Sequence, residues 1–233
     1  MKLLIATLLM VPILTSCAYV EGPISKETLG GIERVGVISG LSYEVHHNRI
    51  AFFRPFNEFE SKNVSHWGIP EYSEALIVNQ LKQNPAIKKV AALQGIARVQ
   101  KDVEDRFALD MDSVIAAAKD QGFDTVIMVT PAGYPSIRDL KSGYGLHKDN
   151  ALDYIPACVY ANLYVTITDV ASQRTIGQSA SFGMVRGICA DERIVWKEKF
   201  ASYSETEMKQ LETIIKNKLK ADITESLQTL GLK

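Results

Sequence analysis

The chain has 233 residues, with 26 lysines and arginines against 27 aspartates and glutamates, 46% apolar residues and 23% charged ones. A formal charge of −1 gives a nucleic acid or other polyelectrolyte little to bind, and the apolar content excludes a disordered chain. A chain this long buries well over roughly 60% of its unfolded surface, enough for one domain with a substantial core.

In chain order, the first element is a short positive end, Met1-Lys2, followed by the uncharged apolar run Leu3 to Leu14. That is the layout of a secretory signal. As a helix the run would span about 18 Å, against about 30 Å of bilayer hydrocarbon, so it is too short for a membrane anchor. Pro12 argues the same way. Leu14-Thr15-Ser16-Cys17 follows and resembles the lipobox of bacterial lipoproteins: an aliphatic residue, two small residues, then cysteine. The resemblance implies cleavage between Ser16 and Cys17, and a diacylglycerol thioether plus an N-acyl chain such as palmitate on Cys17. Each buried methylene contributes about 0.8 kcal/mol, so several chains together make a lasting anchor. Ala18 in place of an aspartate implies sorting to the outer membrane, facing the periplasm. The expected organisation is a signal over 1–16, a lipidated cysteine and tether over 17–31, and one periplasmic domain over 32–233. The signal contains one lysine and no acid, so the mature charge is −2.

Tyr19 to Gly31 is polar, carries Gly22, Pro23, Gly30 and Gly31, and reads as the tether. Arg34 to Ser39 is the first strand; Gly40 to Ser42 is a turn, and Val45 with Ile50 to Phe53 suggests a second strand. Pro70 opens a helix over Glu71 to Gln83, with Tyr72, Ala75, Leu76 and Leu81 as its stripe and Asn84-Pro85 as its stop. Lys88 to Leu93 is a short strand. Asp110 caps a helix to about Gln121, with Met111, Val114, Ile115 and Ala118 at helical spacing and Gly122 as a left-handed stop. Thr125 to Thr130 is a buried strand.

Val159 to Thr168 and Thr175 to Met184 form a hairpin around Asp169 to Arg174. Its paired numbers sum to about 344 to 347, which places Cys158 opposite a position between Arg186 and Cys189. Because export leads to an oxidising compartment, Cys158 and Cys189 are expected to pair as a disulfide, two buried thiols being the alternative. Ser204-Glu205-Thr206-Glu207 is a capping box opening a helix of about 26 residues. Met208, Leu211, Ile215, Leu219, Ile223, Leu227 and Leu230 lie on its one apolar face.

These elements define an α/β (α+β) fold: a mixed β-sheet covered by helices, with a β-hairpin and a long C-terminal amphipathic helix. The segments Ala116-Ala117-Ala118-Lys119-Asp120-Gln121-Gly122-Phe123-Asp124-Thr125-Val126-Ile127-Met128-Val129 and Tyr164-Val165-Thr166-Ile167-Thr168-Asp169-Val170-Ala171-Ser172-Gln173-Arg174 resemble a pattern of periplasmic lipoprotein domains. That group includes the penicillin-binding-protein activator lipoproteins, the curli secretion lipoprotein and the N-terminal domain of the Tol-system β-propeller protein. The resemblance implies a non-catalytic domain that assembles or regulates envelope machinery.

The catalytic motifs are missing. His46-His47 are strand neighbours that point to opposite faces, so they suit surface positions better than one metal. Asp110 and Asp112 are accounted for by helix capping, and Asp102, Glu104 and Asp105 by a solvated loop. There is no Gly-x-Ser-x-Gly elbow and no phosphate-binding glycine loop, and no metal or cofactor is expected. A lipid-anchored hydrolase would need a dispersed triad with His66 or His147 as base. Two irregular stretches are the candidate contact surfaces. Arg54 to Ile69 carries Phe56, Phe59 and Trp67, while Pro131 to Pro156 carries Tyr134, Tyr144, His147 and Tyr154. Aromatic residues anchor interfaces well, although loop aromatics also fold back onto cores. The expected function is therefore an envelope accessory lipoprotein, held to the membrane through Cys17, that docks a periplasmic protein. The alternatives are the hydrolase and a lipoprotein that self-associates through its last helix.

Overall fold

The computed structural model describes residues 23–51, 56–96, 109–132, 141–149, 157–182 and 195–233. Its strands are β1 (Arg34–Ser39), β2 (Glu44–Ile50), β3 (Glu58–Asn63), β4 (Lys89–Ala92), β5 (Thr125–Pro131), β6 (Gly143–Asp149), β7 (Cys158–Asp169) and β8 (Thr175–Phe182). The helices are α1 (Lys26–Gly30), α2 (Ile69–Leu81), α3 (Met111–Asp120) and α4 (Glu205–Thr229). The expected mixed sheet with helical cover is present, in the strand order β3-β2-β6-β7-β5-β1-β4 with β8 added to β7. β7 organises it. One edge pairs antiparallel with β8, and the other pairs with β5 along Leu163 to Asp169 and with β6 along Cys158 to Asn162. β1 runs parallel to β5 and β4, and β2 runs parallel to β6.

Strand alternation divides the apolar residues between two cores. Val35, Val37, Ile127, Val129, Val165 and Ile167 lie under α2 and α4. Ile38, Val126 and Met128 lie on the opposite face with Val114, Ile115 and Ala118 of α3. The capping box of α4 is complete, because the Ser204 hydroxyl accepts from the Glu207 amide and the Glu207 carboxylate accepts from the Ser204 amide. Its stripe Leu211, Ile215, Leu219, Ile223 and Leu227 is buried in the chain's own core. That apolar face is therefore not available for self-association.

Asp110 caps α3 by accepting from the Ser113 amide, and Gly122 at φ 74 ends it, with the Phe123 amide bonded back to Ala118. In α2 the buried row is Ile69, Ser73, Ile77 and Leu81 rather than the expected Tyr72, Ala75 and Leu76. Ser73 is tolerated in that row because its hydroxyl donates to the Ile69 carbonyl at 2.9 Å.

Several expectations are corrected. The stretch 54–69 contains β3 and a 3-10 turn at Ser65–Trp67. β3 escaped notice because Glu-Phe-Glu-Ser-Lys-Asn, an edge strand, has no apolar row to reveal it. The stretch 131–156 contains β6, whose glycines resemble a loop. Gly145 is there because a Cβ would overlap the backbone carbonyl of His46 on the neighbouring strand. The expected tether does not extend to Gly31. Ser25 caps α1, and Ile24 is buried against the Gly177 and Leu230 end of the sheet and α4, so residues 24–31 belong to the fold.

Candidate interaction surface

Alternation along β2 sends its two histidines to opposite faces, as expected, but both are buried rather than on the surface. The reason is position: β2 has β6 on one edge and β3 on the other. His46 Nδ1 is hydrogen-bonded to Ser61 Oγ at 2.8 Å. Burial, reinforced by nearby Lys141, lowers its pKa to about 4, with the Ser142 backbone opposing. His47 is also held below the ordinary histidine value by burial. Its Nε2 lies 2.8 Å from the Lys197 carbonyl, and its ring stacks on Trp196 with centroids 3.9 Å apart. Phe200 meets the same ring edge-on at 5.2 Å.

The segment carrying Trp196 and Phe200 is fastened to β2 and β3. The Phe200 amide donates to Glu60 at 2.9 Å, and Arg49 bridges Glu198 at 2.9 Å and Glu58 at 3.4 Å. Outside this aromatic stack lies an open concavity of about 460 Å³ lined by His47, Glu58, Phe59, Glu60, Glu198 and Lys199. Phe59, which lines it, is 39% exposed, and Phe56, just before β3, is 68% exposed; Val195, 61% exposed, lines a separate small pocket with Leu146, Tyr203 and Leu211. Singly, such residues are ordinary; Phe56 and Phe59 stand close together at the start of the edge strand β3.

The sequence candidates therefore separate. Phe56 and Phe59 are exposed at this corner. Trp67 is 2% exposed and belongs to the core. Tyr144 is buried with its hydroxyl donating to the Ser42 carbonyl at 2.8 Å, and burial raises its pKa. Their aromatic faces are spent on the interior, which corrects their reading as contact residues. His147 is buried on β6 in register with Asn48 and Cys158, not in a loop, while His66 is exposed beside Trp67. Cys158 is buried on β7. Ser16, Cys17, Tyr134, Tyr154 and Cys189 lie outside the described residues. The hairpin's paired numbers sum to 344 from Asn162–Phe182 to Ile167–Gly177, the lower end of the expected range.

A second concavity, of about 520 Å³, went unnoticed in the sequence. Its floor is the polar side of the β7 hairpin, with Thr166, Thr168, Thr175 and Gln178, and Met111 and Ile115 of α3 form a wall. The Thr168 hydroxyl is buried with no hydrogen-bond partner. The available signal was alternation: Val159, Ala161, Leu163, Val165 and Ile167 face the helices, and Tyr160, Asn162, Tyr164, Thr166 and Thr168 face the other side. Among the described residues no cluster of three or more histidine, cysteine or acidic side chains could hold a metal, and no helix is long and apolar enough to cross a membrane.

No protein-family model and no curated protein matches this chain. Among solved structures it is similar to two PelC dodecamers from Paraburkholderia phytofirmans. One, a single-substitution variant, is 10% identical, with 91% of this chain and 94% of that chain covered and a TM-score of 0.38. The other is 9% identical, with 90% and 91% covered and a TM-score of 0.37. A likeness this remote bears on neither family nor function.

Proposed function

We propose that this chain is a lipid-anchored lipoprotein of the cell envelope, a non-catalytic accessory that docks a periplasmic protein at the corner formed by β3 and the segment 195–200. Leu14-Thr15-Ser16-Cys17 supports the anchor. The observation that carries the docking is the exposure of Phe56 and Phe59 at the start of the edge strand β3, in a fold that buries most of its other described large apolar side chains. An aromatic anchor surrounded by Arg49, Glu58, Glu198 and Lys199 matches the usual interface plan of an apolar centre with a charged rim.

The test is photocrosslinking in cells from residue 56, with Phe59→Asp as the disrupting variant. The expected result is one recurrent adduct that disappears in the variant. No adduct, together with a hydrolytic activity lost on changing His66 or His147, would overturn this reading in favour of the hydrolase. For the anchor, labelled palmitate should enter the wild-type protein and not Cys17→Ser.

A further inference from the structure

The N-terminal segment enters the fold at a definite place. The Ile24 amide donates to the Leu230 carbonyl at 3.4 Å, and the Ile24 side chain fills space that only a glycine at 177 leaves open, since a Cβ there would come within 2.7 Å of it. Leu29 of α1 reaches the same end of α4, where a Cβ on Gly231 would lie 3.1 Å from its Cδ1. α1 and Ile24 are thus clamped over the Gly177 end of β8 and the last turn of α4.

The contact corner is at the other end of the sheet. Gly177 is in register with Ile167, whereas Phe59 connects through Asn48 and His147 to Cys158, nine residues away along β7. At about 3.4 Å per residue that is about 30 Å along the strand. The three strand steps between β7 and β3 add about 14 Å sideways, at about 4.8 Å each.

We infer that the Ile24 end of the domain faces the bilayer and that the corner bearing Phe56 and Phe59 projects away from it, toward a partner in the aqueous periplasm rather than one embedded in lipid. This rests on the proposed lipid on Cys17. Seven residue steps separate Cys17 from Ile24, a span of at most about 25 Å even fully extended. A folded chain of about 200 residues is about 40 Å across. Laying the Phe59 corner on the membrane would lift Ile24 to about that height, beyond the reach of the leash. The longer tether expected from the sequence, to Gly31, would have allowed it.

The experiment places a fluorophore on Lys26→Cys in one sample of the lipidated protein and on Lys62→Cys in another. Energy transfer is then measured to acceptor lipids in phosphatidylethanolamine–phosphatidylglycerol vesicles. Transfer should be strong from position 26 and several-fold weaker from position 62. A twenty-residue glycine-serine insertion after Ala18 should bring the two toward equality. Equal transfer from both positions in the protein with its natural leash, with lipid demonstrated on Cys17 by mass spectrometry, overturns the orientation alone. Absence of lipid from Cys17 overturns the anchor and the orientation with it.

Discussion

Acid should destabilise this protein through His46, above the pH at which most carboxylates titrate. In the folded chain the ring lies between β3 and β6, hydrogen-bonded to Ser61, and burial with Lys141 nearby lowers its pKa from 6.5 to about 4. The unfolded chain binds the proton at about 6.5, so the folded state binds fewer protons in between, and stability is full above about 6.5 and falls as pH drops toward 4. A difference of about 2.5 units at 1.36 kcal/mol each amounts to about 3 kcal/mol, a large part of a typical 5 to 15 kcal/mol. His47 is shifted in the same direction and adds to the effect. Asp222, whose pKa burial raises, opposes it at the acid end, because its carboxyl is easier to protonate in the folded state. The assay is urea denaturation between pH 7.5 and 4.5 for the wild type and His46→Gln. The wild type should lose about 2 to 3 kcal/mol across that range, and the variant, less stable at pH 7.5, should show a slope smaller by close to one proton. Equal slopes in the two proteins would refute the assignment to His46.

Gly145→Ala should be more damaging than a methyl group suggests. The added carbon meets the His46 backbone carbonyl, so β2 and β6 must separate, and a loss of about 3 kcal/mol or more in denaturant melts is expected. Ser204→Ala removes the hydroxyl that caps α4 and should cost about 1 kcal/mol, with a matching fall in the midpoint of thermal unfolding followed at 222 nm. If Cys158 and Cys189 are bridged, mass spectrometry of unreduced protein will find neither alkylated by iodoacetamide after unfolding, and reduction will lower the stability by about 2 to 4 kcal/mol. Full alkylation without reductant would establish the thiol alternative.

What the sequence revealed depended on whether an element had to signal its place locally. α3 and α4 did, since Asp110, Gly122 and the Ser204–Glu207 box fix their ends by hydrogen bonds between near neighbours. β5, β7 and β8 did as well, through β-branched runs. β3 and β6 did not. β3 borrows its stability from β2 and needs no apolar row, and β6 carries Gly143 and Gly145 because it passes close to His46, which only the folded arrangement reveals. Of the candidate site, Phe56 and Phe59 were legible as aromatics in a polar stretch. Trp67 and Tyr144 looked the same in sequence and are core residues, because exposure is decided by what packs on top. Trp196 and Phe200 were missed for the opposite reason: they meet His47 across about 150 residues, and no local pattern reports a contact that distant.

The packing of Ile24 and α1 onto the fold bears most on the proposed orientation. A polar segment with paired glycines at 22–31 reads as flexible, yet Ser25 caps a turn of helix and Ile24 occupies a slot left by Gly177. A buried isoleucine contributes about 1.5 to 3 kcal/mol, enough to hold this end closed most of the time. Every residue taken from the tether and given to the fold shortens the leash by about 3.5 Å. With the proposed lipid on Cys17, a leash to Gly31 would let the domain present any face to the membrane, whereas one ending at Ile24 would favour a single end. Gly177 thereby becomes a lever on orientation as well as on packing. Replacing it with valine should expel Ile24, lengthen the leash by several residues and narrow the difference in energy transfer between labels at positions 26 and 62, while leaving the acylation of Cys17 unchanged.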